Sequence, residues 1–203
     1  MGDILVATGG NQTSLYEELY REYLEDRTLF INDEISENAI EDYVMYILKW
    51  NKEDKGLPID CRKPIRIYIS SPGGNVFNAN NMIDIITQSK TPIIGICLDL
   101  AASAAYLILL SCHKRYGFKN SVFLQHEGDM VIENSRSKFK QTADFFNDQE
   151  EKTKEYILSR TNMTSEFYDS IYDIEFWMNA EKAKEYNIID GIIGKDIDID
   201  ELL

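Results

Sequence analysis

The feature that most constrains this chain is a strand–helix–strand rhythm in its middle third. Ile65, Ile67 and Ile69 alternate with Arg66, Tyr68 and Ser70, the period of a strand with one buried face. Ser71-Pro72-Gly73-Gly74 stops that strand. A helix is expected from Val76 to Ser89, burying Phe77, Ala79, Met82, Ile83 and Ile86. Pro92 to Leu98 follows as a continuous apolar run, as in a strand covered on both faces. The order then repeats, with Leu100 to Cys112 as helix and Ser121 to His126 as strand. Successive units of this kind require a parallel sheet with right-handed crossovers, hence an α/β fold.

The flanks fit the same domain. Asn11 to Glu25 reads as a helix with Leu15, Leu19, Tyr20 and Tyr23 on its apolar stripe, and Thr28 to Ile31 as a short strand. Ser36 is the expected N-cap of a helix carrying Ile40, Tyr43, Val44, Ile47 and Leu48, with a loop from Asn51 to Arg62. A long helix is expected from Ser137 to Arg160, apolar at Phe139, Ala143, Phe146, Thr153 and Ile157 and charged elsewhere. Two short helices follow, one over Ser165 to Ile171 and one capped by Asn179 and closed by Asn187. This gives a flexible segment (1–14), a single domain (15–194) and an acidic tail (195–203) whose Asp196–Glu201 stretch is expected to fray.

Composition removes several function classes. Thirty-five acidic residues against 21 Lys and Arg give a formal net charge of -14, which repels nucleic-acid phosphates and anionic lipid. Neither a nucleic-acid nor a membrane partner is expected. Ile93 to Cys112 is apolar, but Pro92, Gly95 and Asp99 argue against a bilayer span. Met1 to Gln12 lacks a signal-peptide pattern, and Cys61, Cys97 and Cys112 form no close pair, so reduced thiols in a cytoplasmic setting are expected. Without CxxC or HExxH, no metal is expected and no cofactor is called for. Without GxxxxGK[ST], the chain itself is not expected to split ATP.

What remains points to nucleophilic chemistry. Ser103 sits at a strand-to-helix turn among Ala101, Ala102, Ala104 and Ala105, where small neighbours let a substrate approach. The start of the helix directs backbone N–H groups and a positive dipole end at developing negative charge. Gly73 and Gly74 close a parallel strand and can bring a second backbone donor. Of the two histidines, His113 lies at the far end of the helix, where a positive charge suits a structural role. His126 ends a strand parallel to the one delivering Ser103, and it is the sensible general base.

Asp26-Arg27 with Phe30-Ile31, Tyr68-Ile69-Ser70-Ser71-Pro72-Gly73-Gly74, Ala101-Ala102-Ser103 and Asn120-Ser121 before His126 recur in one known family. Met178-Asn179-Ala180-Glu181, Glu185-Tyr186 and Ile189-Asp190-Gly191 complete the ordered set. The chain thereby resembles the proteolytic subunit of the Clp protease, the ClpP family of serine peptidases, from about Leu15 to Ile193. The resemblance implies ClpP/crotonase-like stacked ββα units with a largely parallel sheet and a protruding long helix. It implies heptameric rings, stacked as a tetradecamer around a chamber, into which an AAA+ Clp unfoldase threads unfolded polypeptide substrates. It implies Ser103 as nucleophile, His126 as base, and the N–H groups of Gly74 and Ala104 as oxyanion hole. The outer half of the long helix is then expected to pack against a partner ring.

The third triad position departs from the family. Glu175 stands where an Asp is expected, with Asp173 as the alternative orienting carboxylate. Ile174 replaces an arginine that links ring contacts to the active state. Arg66 replaces an aromatic residue of the pocket that receives the ATPase, although Tyr68 is kept. Glu127-Gly128 replaces Gln-Pro after the base, and Ala104 replaces a common Met. These departures leave open a catalytically weak ring subunit with a structural or regulatory role, and more distantly a crotonase-like acyl-CoA enzyme.

Overall fold

The computed structural model describes residues 5–6, 13–128 and 135–203. Leu5–Val6 (β1) and Thr13–Ser14 (β2) pair antiparallel; the rest of the expected flexible segment lies outside the described residues. Helix α1 (Leu15–Glu25) starts after Ser14, whose hydroxyl accepts from the Glu17 N–H while the Glu17 carboxylate accepts from the Ser14 N–H. Strand β3 (Thr28–Ile31) follows, then a π-turn over Ile40–Val44 that leads into α2 (Met45–Glu53). Next come β4 (Ile65–Ser71), α3 (Val76–Gln88), β5 (Ile93–Ala102), α4 (Ala104–Ser111), β6 (Lys114–Phe118) and β7 (Val122–Gln125). The chain ends with α5 (Arg136–Arg160), α6 (Ser165–Ser170), β8 (Phe176–Asn179), α7 (Ala180–Glu185) and β9 (Gly191–Ile193).

Among the described residues, seven strands form one sheet in the order β3-β4-β5-β6-β9, with β7 pairing both β5 and β8. Every pair is parallel except β7–β8. Strand β5 changes neighbour along its length: Ile94–Cys97 pair with β6, and Leu100–Ala102 with β7. Ser121 sits at that exchange, its hydroxyl accepting from the Phe118 N–H (2.8 Å) and donating to the Cys97 carbonyl (2.8 Å). The isoleucines of β4 at 65, 67 and 69 are fully buried, in one core with Ala79, Met82 and Ile86 of α3 and the seven apolar residues of α4. Leu and Ile side chains buried this way contribute about 1.5–3 kcal/mol each. Cys97 and Cys112 belong to that core, and burial pushes both thiols up to about 12.

Several expectations are corrected. Strand β5 runs four residues further than Leu98, because Leu100–Ala102 extend the ladder on β7, so α4 is correspondingly shorter. Strands β6, β8 and β9 carry no periodic signal of their own in the sequence. Ser36 does not cap α2, since the π-turn comes first and no side chain caps the helix. Phe77 is 53 % exposed; it packs edge-on to Phe146 of α5 across a cleft. His113 is not the positive charge at the end of α4. Its Nδ1 accepts from the Ile93 N–H (3.0 Å), and desolvation and the Arg160 charge push it down from the usual imidazole value. Arg160 from α5 fills that role, donating to the Leu110 and Cys112 carbonyls. The acidic tail is packed, with Asp198 and Glu201 capping a 3-10 turn and Leu202 buried against Ile96 and Ile193.

Helix α5 has 25 residues, about 37 Å at the usual rise per residue. Ile157, near its C-terminal end, is in the core, while Phe139 and Phe145 nearer its start are about half exposed. No described helix is long and apolar enough to cross a membrane.

Candidate active site

Ser103 occupies a strained corner. Between the end of β5 and the start of α4 it takes φ +54° and ψ -123°, a conformation that costs a non-glycine residue about 1–3 kcal/mol. Two contacts hold it there. Its N–H donates to the Leu124 carbonyl of β7 (3.0 Å), and its carbonyl accepts from the Leu107 N–H (3.3 Å). The core-buried α4 behind it fixes the direction in which the turn points.

The glycine turn after β4 lies directly against this corner. A Cβ on Gly73 would sit 2.7 Å from the Ala102 carbonyl oxygen and from the Ser103 Cβ, and 3.0 Å from the Ala104 nitrogen. Only glycine fits there. Ser71 shapes the turn, its hydroxyl donating to the Asp33 carbonyl (2.6 Å) and accepting from the Gly73 N–H (3.2 Å). Gly74 forms a single parallel bridge with Ile35 that uses the Gly73 carbonyl and the Asn75 N–H. The Gly74 N–H takes no part in that bridge. The Ala104 N–H is likewise free of helical partners, being at the first position of α4. Two backbone donors therefore flank the serine turn.

His126 follows β7 directly and is half-buried. It lines one cleft of about 370 Å³ together with Ser103 and Ala104, walled by α3, α4 and α5. Among the described residues neither the Ser103 hydroxyl nor the His126 ring has a hydrogen-bond partner. Across β7, the antiparallel register sets Gln125 opposite Phe176, and one further step puts Glu175 across from His126. The Glu175 carboxylate turns along its own strand and accepts from the Trp177 Nε1–H (3.0 Å). Both Glu175 and Asp173 are exposed. The fold thus brings Ser103, His126, Gly74 and Ala104 to one place, and aligns the Glu175 backbone but not its carboxylate.

Sequence reasoning gave no role to Ser71, Gln125 or Glu150. Gln125 shares the phase of buried Phe123 along β7, and a polar residue in that phase was a readable signal. Glu150 lines the cleft from α5, and burial, then the Glu127 charge, push its carboxyl up from the usual range. Nothing local in the helix distinguishes it. No cluster of His, Cys, Asp or Glu suited to a metal ion occurs among the described residues.

Known proteins are similar to this chain in sequence and in fold. One relative is an ATP-dependent Clp protease proteolytic subunit 2 of Treponema pallidum, 28% identical over 184 residues, covering 89% of this chain and 88% of that protein. Another is a proteolytic subunit 1 of Bacillus cereus, 29% identical over 189 residues, with coverage of 91% and 95%. A solved ClpP1 point mutant from Listeria monocytogenes superposes with a TM-score of 0.74 at 24% identity, over 88% of this chain and 97% of that one; it shows the shared fold. The sequence itself matches the Clp protease family over residues 10–196, which takes in the glycine turn, the serine corner, the histidine strand and the β8–α7 segment. This chain is a member of the Clp protease family.

Proposed function

We propose that this chain is a serine endopeptidase of the Clp type, cleaving unfolded polypeptides inside a ring-shaped chamber. The observation that carries the reading is the strained Ser103 corner, tied through its N–H to the strand that delivers His126. Ser103 Oγ attacks the scissile carbonyl while His126 takes its proton. The N–H groups of Gly74 and Ala104 bind the oxyanion, worth roughly 10²–10³ in rate per donor. The imidazolium then returns the proton to the leaving amine, and water hydrolyses the acyl-enzyme with His126 again as base. Glu175 orients the imidazole after a rotamer change away from Trp177.

Heptameric rings, stacked in pairs, form the chamber, and a separate AAA+ Clp unfoldase supplies polypeptide. The exposed Phe139 and Phe145 on the outer part of α5 support ring pairing. A cytoplasmic setting suits three cysteines that all stay unpaired. The test is intact-mass labelling with a fluorophosphonate. Wild-type protein is expected to gain one adduct per chain and Ser103→Ala none; absence of labelling in protein that forms rings overturns the assignment.

A second reading is a catalytically weak ring subunit that serves an active partner subunit. The Trp177–Glu175 bond favours it, because that bond draws the carboxylate away from the base. Slow labelling alone that accelerates in mixed rings is its signature.

A further inference from the structure

Ser71, the last residue of β4, is fully buried, and the ladder to β5 is irregular just before it. Ile69 pairs with Cys97, but Ser71 pairs with Ala101, two residues before Ser103. At this rung the hydroxyl works in two directions. It donates to the Asp33 carbonyl (2.6 Å), in the segment that follows β3, and accepts from the Gly73 N–H (3.2 Å). The next peptide is held from the same segment, by the Ile35 N–H on the Gly73 carbonyl (2.7 Å). In a planar trans peptide the carbonyl and the following N–H point in opposite directions. Ile35 therefore turns the Gly74 N–H away from itself. The serine corner lies against the same turn, with the Ser103 Cβ 2.7 Å from where a Gly73 Cβ would stand.

These bonds restrain a peptide that is otherwise free to rotate. Gly73 and Gly74 have φ of +102° and +140°, and neither carries a side chain that resists a flip of the peptide between them. A flipped peptide would present its carbonyl oxygen, instead of an N–H, where negative charge develops. We propose that Ser71 is a positioning residue for the oxyanion donor Gly74, locking the glycine turn to the Asp33–Ile35 segment so that the N–H stays aimed at the reacting carbonyl. The inference rests on the proposed peptidase reading and adds a residue to it. A hydroxyl suits the place because one small group both donates and accepts. Alanine would take that partner from the Asp33 carbonyl and from the Gly73 N–H. Ser71 acts only through the glycine turn.

The experiment follows fluorophosphonate labelling against probe concentration, which separates the maximal rate from the half-saturating concentration. Ser71→Ala is expected to lower the maximal rate about five- to thirtyfold, the effect of two net hydrogen bonds. The half-saturating concentration should stay within about twofold, since only the transition state loads the donor. Ser70→Ala, which removes the partly exposed hydroxyl next to it on β4, should change neither. Ser71→Cys keeps the side chain's shape but bonds weakly, so it shifts the rate the same way. It replaces the alanine variant should thermal unfolding show that variant unfolded. A Ser103→Cys background separates donor from nucleophile. Alkylation of that position by iodoacetamide, read by peptide mass, develops no oxyanion, so adding Ser71→Ala should leave its rate unchanged. An equal fall in alkylation would mean that the corner itself moved and would overturn the assignment. So would an unchanged maximal rate in a folded Ser71 variant, or a loss confined to the half-saturating concentration, and in each case the peptidase stands. No adduct on wild-type protein that forms rings sinks the peptidase reading, and the role of Ser71 with it.

Discussion

The two sides of the candidate site are built differently. On the serine side, a fully buried helix, a glycine in van der Waals contact and a hydrogen bond to β7 all converge on one residue. On the acid side, Asp173, Ile174 and Glu175 are exposed, and a single side-chain bond, to a neighbour two residues away, directs the Glu175 carboxylate. Core packing is bistable at best and does not deform smoothly, so the serine corner tolerates little. An exposed carboxylate moves by rotating about a side-chain bond, so the acid side is adjustable. Tight placement belongs to the group that must meet the substrate, and looser placement to the group that acts through another.

The largest effect is expected from Gly73→Ala. The new Cβ falls 2.7 Å from the Ala102 oxygen and the Ser103 Cβ at a φ of +102°, so the backbone must shift. We expect a cost of about 2 kcal/mol, read as a drop in Tm of roughly 4–8 °C. A displacement near 1 Å at the nucleophile should also slow fluorophosphonate labelling about a hundredfold or more. A labelling rate within a few-fold of wild type would mean that the corner is not set by contact with the glycine turn.

Glu175→Gln probes the other side. Because its carboxylate is exposed and directed at Trp177, the expected fall in labelling rate is about tenfold, far short of the ~10⁴ lost when a buried orienting acid is neutralised. Asp173→Asn should change less still. A loss near the larger figure would show that Glu175 is locked onto His126 during reaction, and the contrast between the two sides would fail.

The same contrast governs what the sequence made legible. Ser103, Gly73, Gly74 and His126 stand at ends of strands punctuated by proline, glycine and small residues, signals that act locally. Strand β6, by contrast, begins Lys114-Arg115 and contains Gly117, a poor strand by propensity. Its stability comes from the ladder to Ile94–Cys97, a non-local cause. Strands β8 and β9 are four and three residues long and depend on β7 and β6 in the same way. Phe77 has the right helical phase for burial, but its turn of α3 borders a cleft, and concavity is invisible to periodicity. His113 is structural, as its place in the sequence suggests, but as an acceptor and not as a charge, because Arg160, 47 positions further along, serves the end of α4. Glu175 could be matched to a position by order and spacing. Its rotamer could not, since that depends on the indole of Trp177.

Trp177→Phe gives the smallest and most discriminating effect. It keeps the aromatic bulk of a residue that is 52 % exposed and removes only the Nε1–H that holds the Glu175 carboxylate. A net hydrogen bond is worth about 1 kcal/mol, so releasing the carboxylate should raise the fraction facing His126 by up to about fivefold. Labelling should accelerate by a similar factor, and the gain should vanish in the double variant Trp177→Phe with Glu175→Gln, because the indole acts only through that carboxylate. Acceleration that survives in the double variant would assign the effect to repacking of β8. An unchanged rate in the single variant would mean that the carboxylate already leaves the indole at no cost, making the acid side looser still than its one bond suggests.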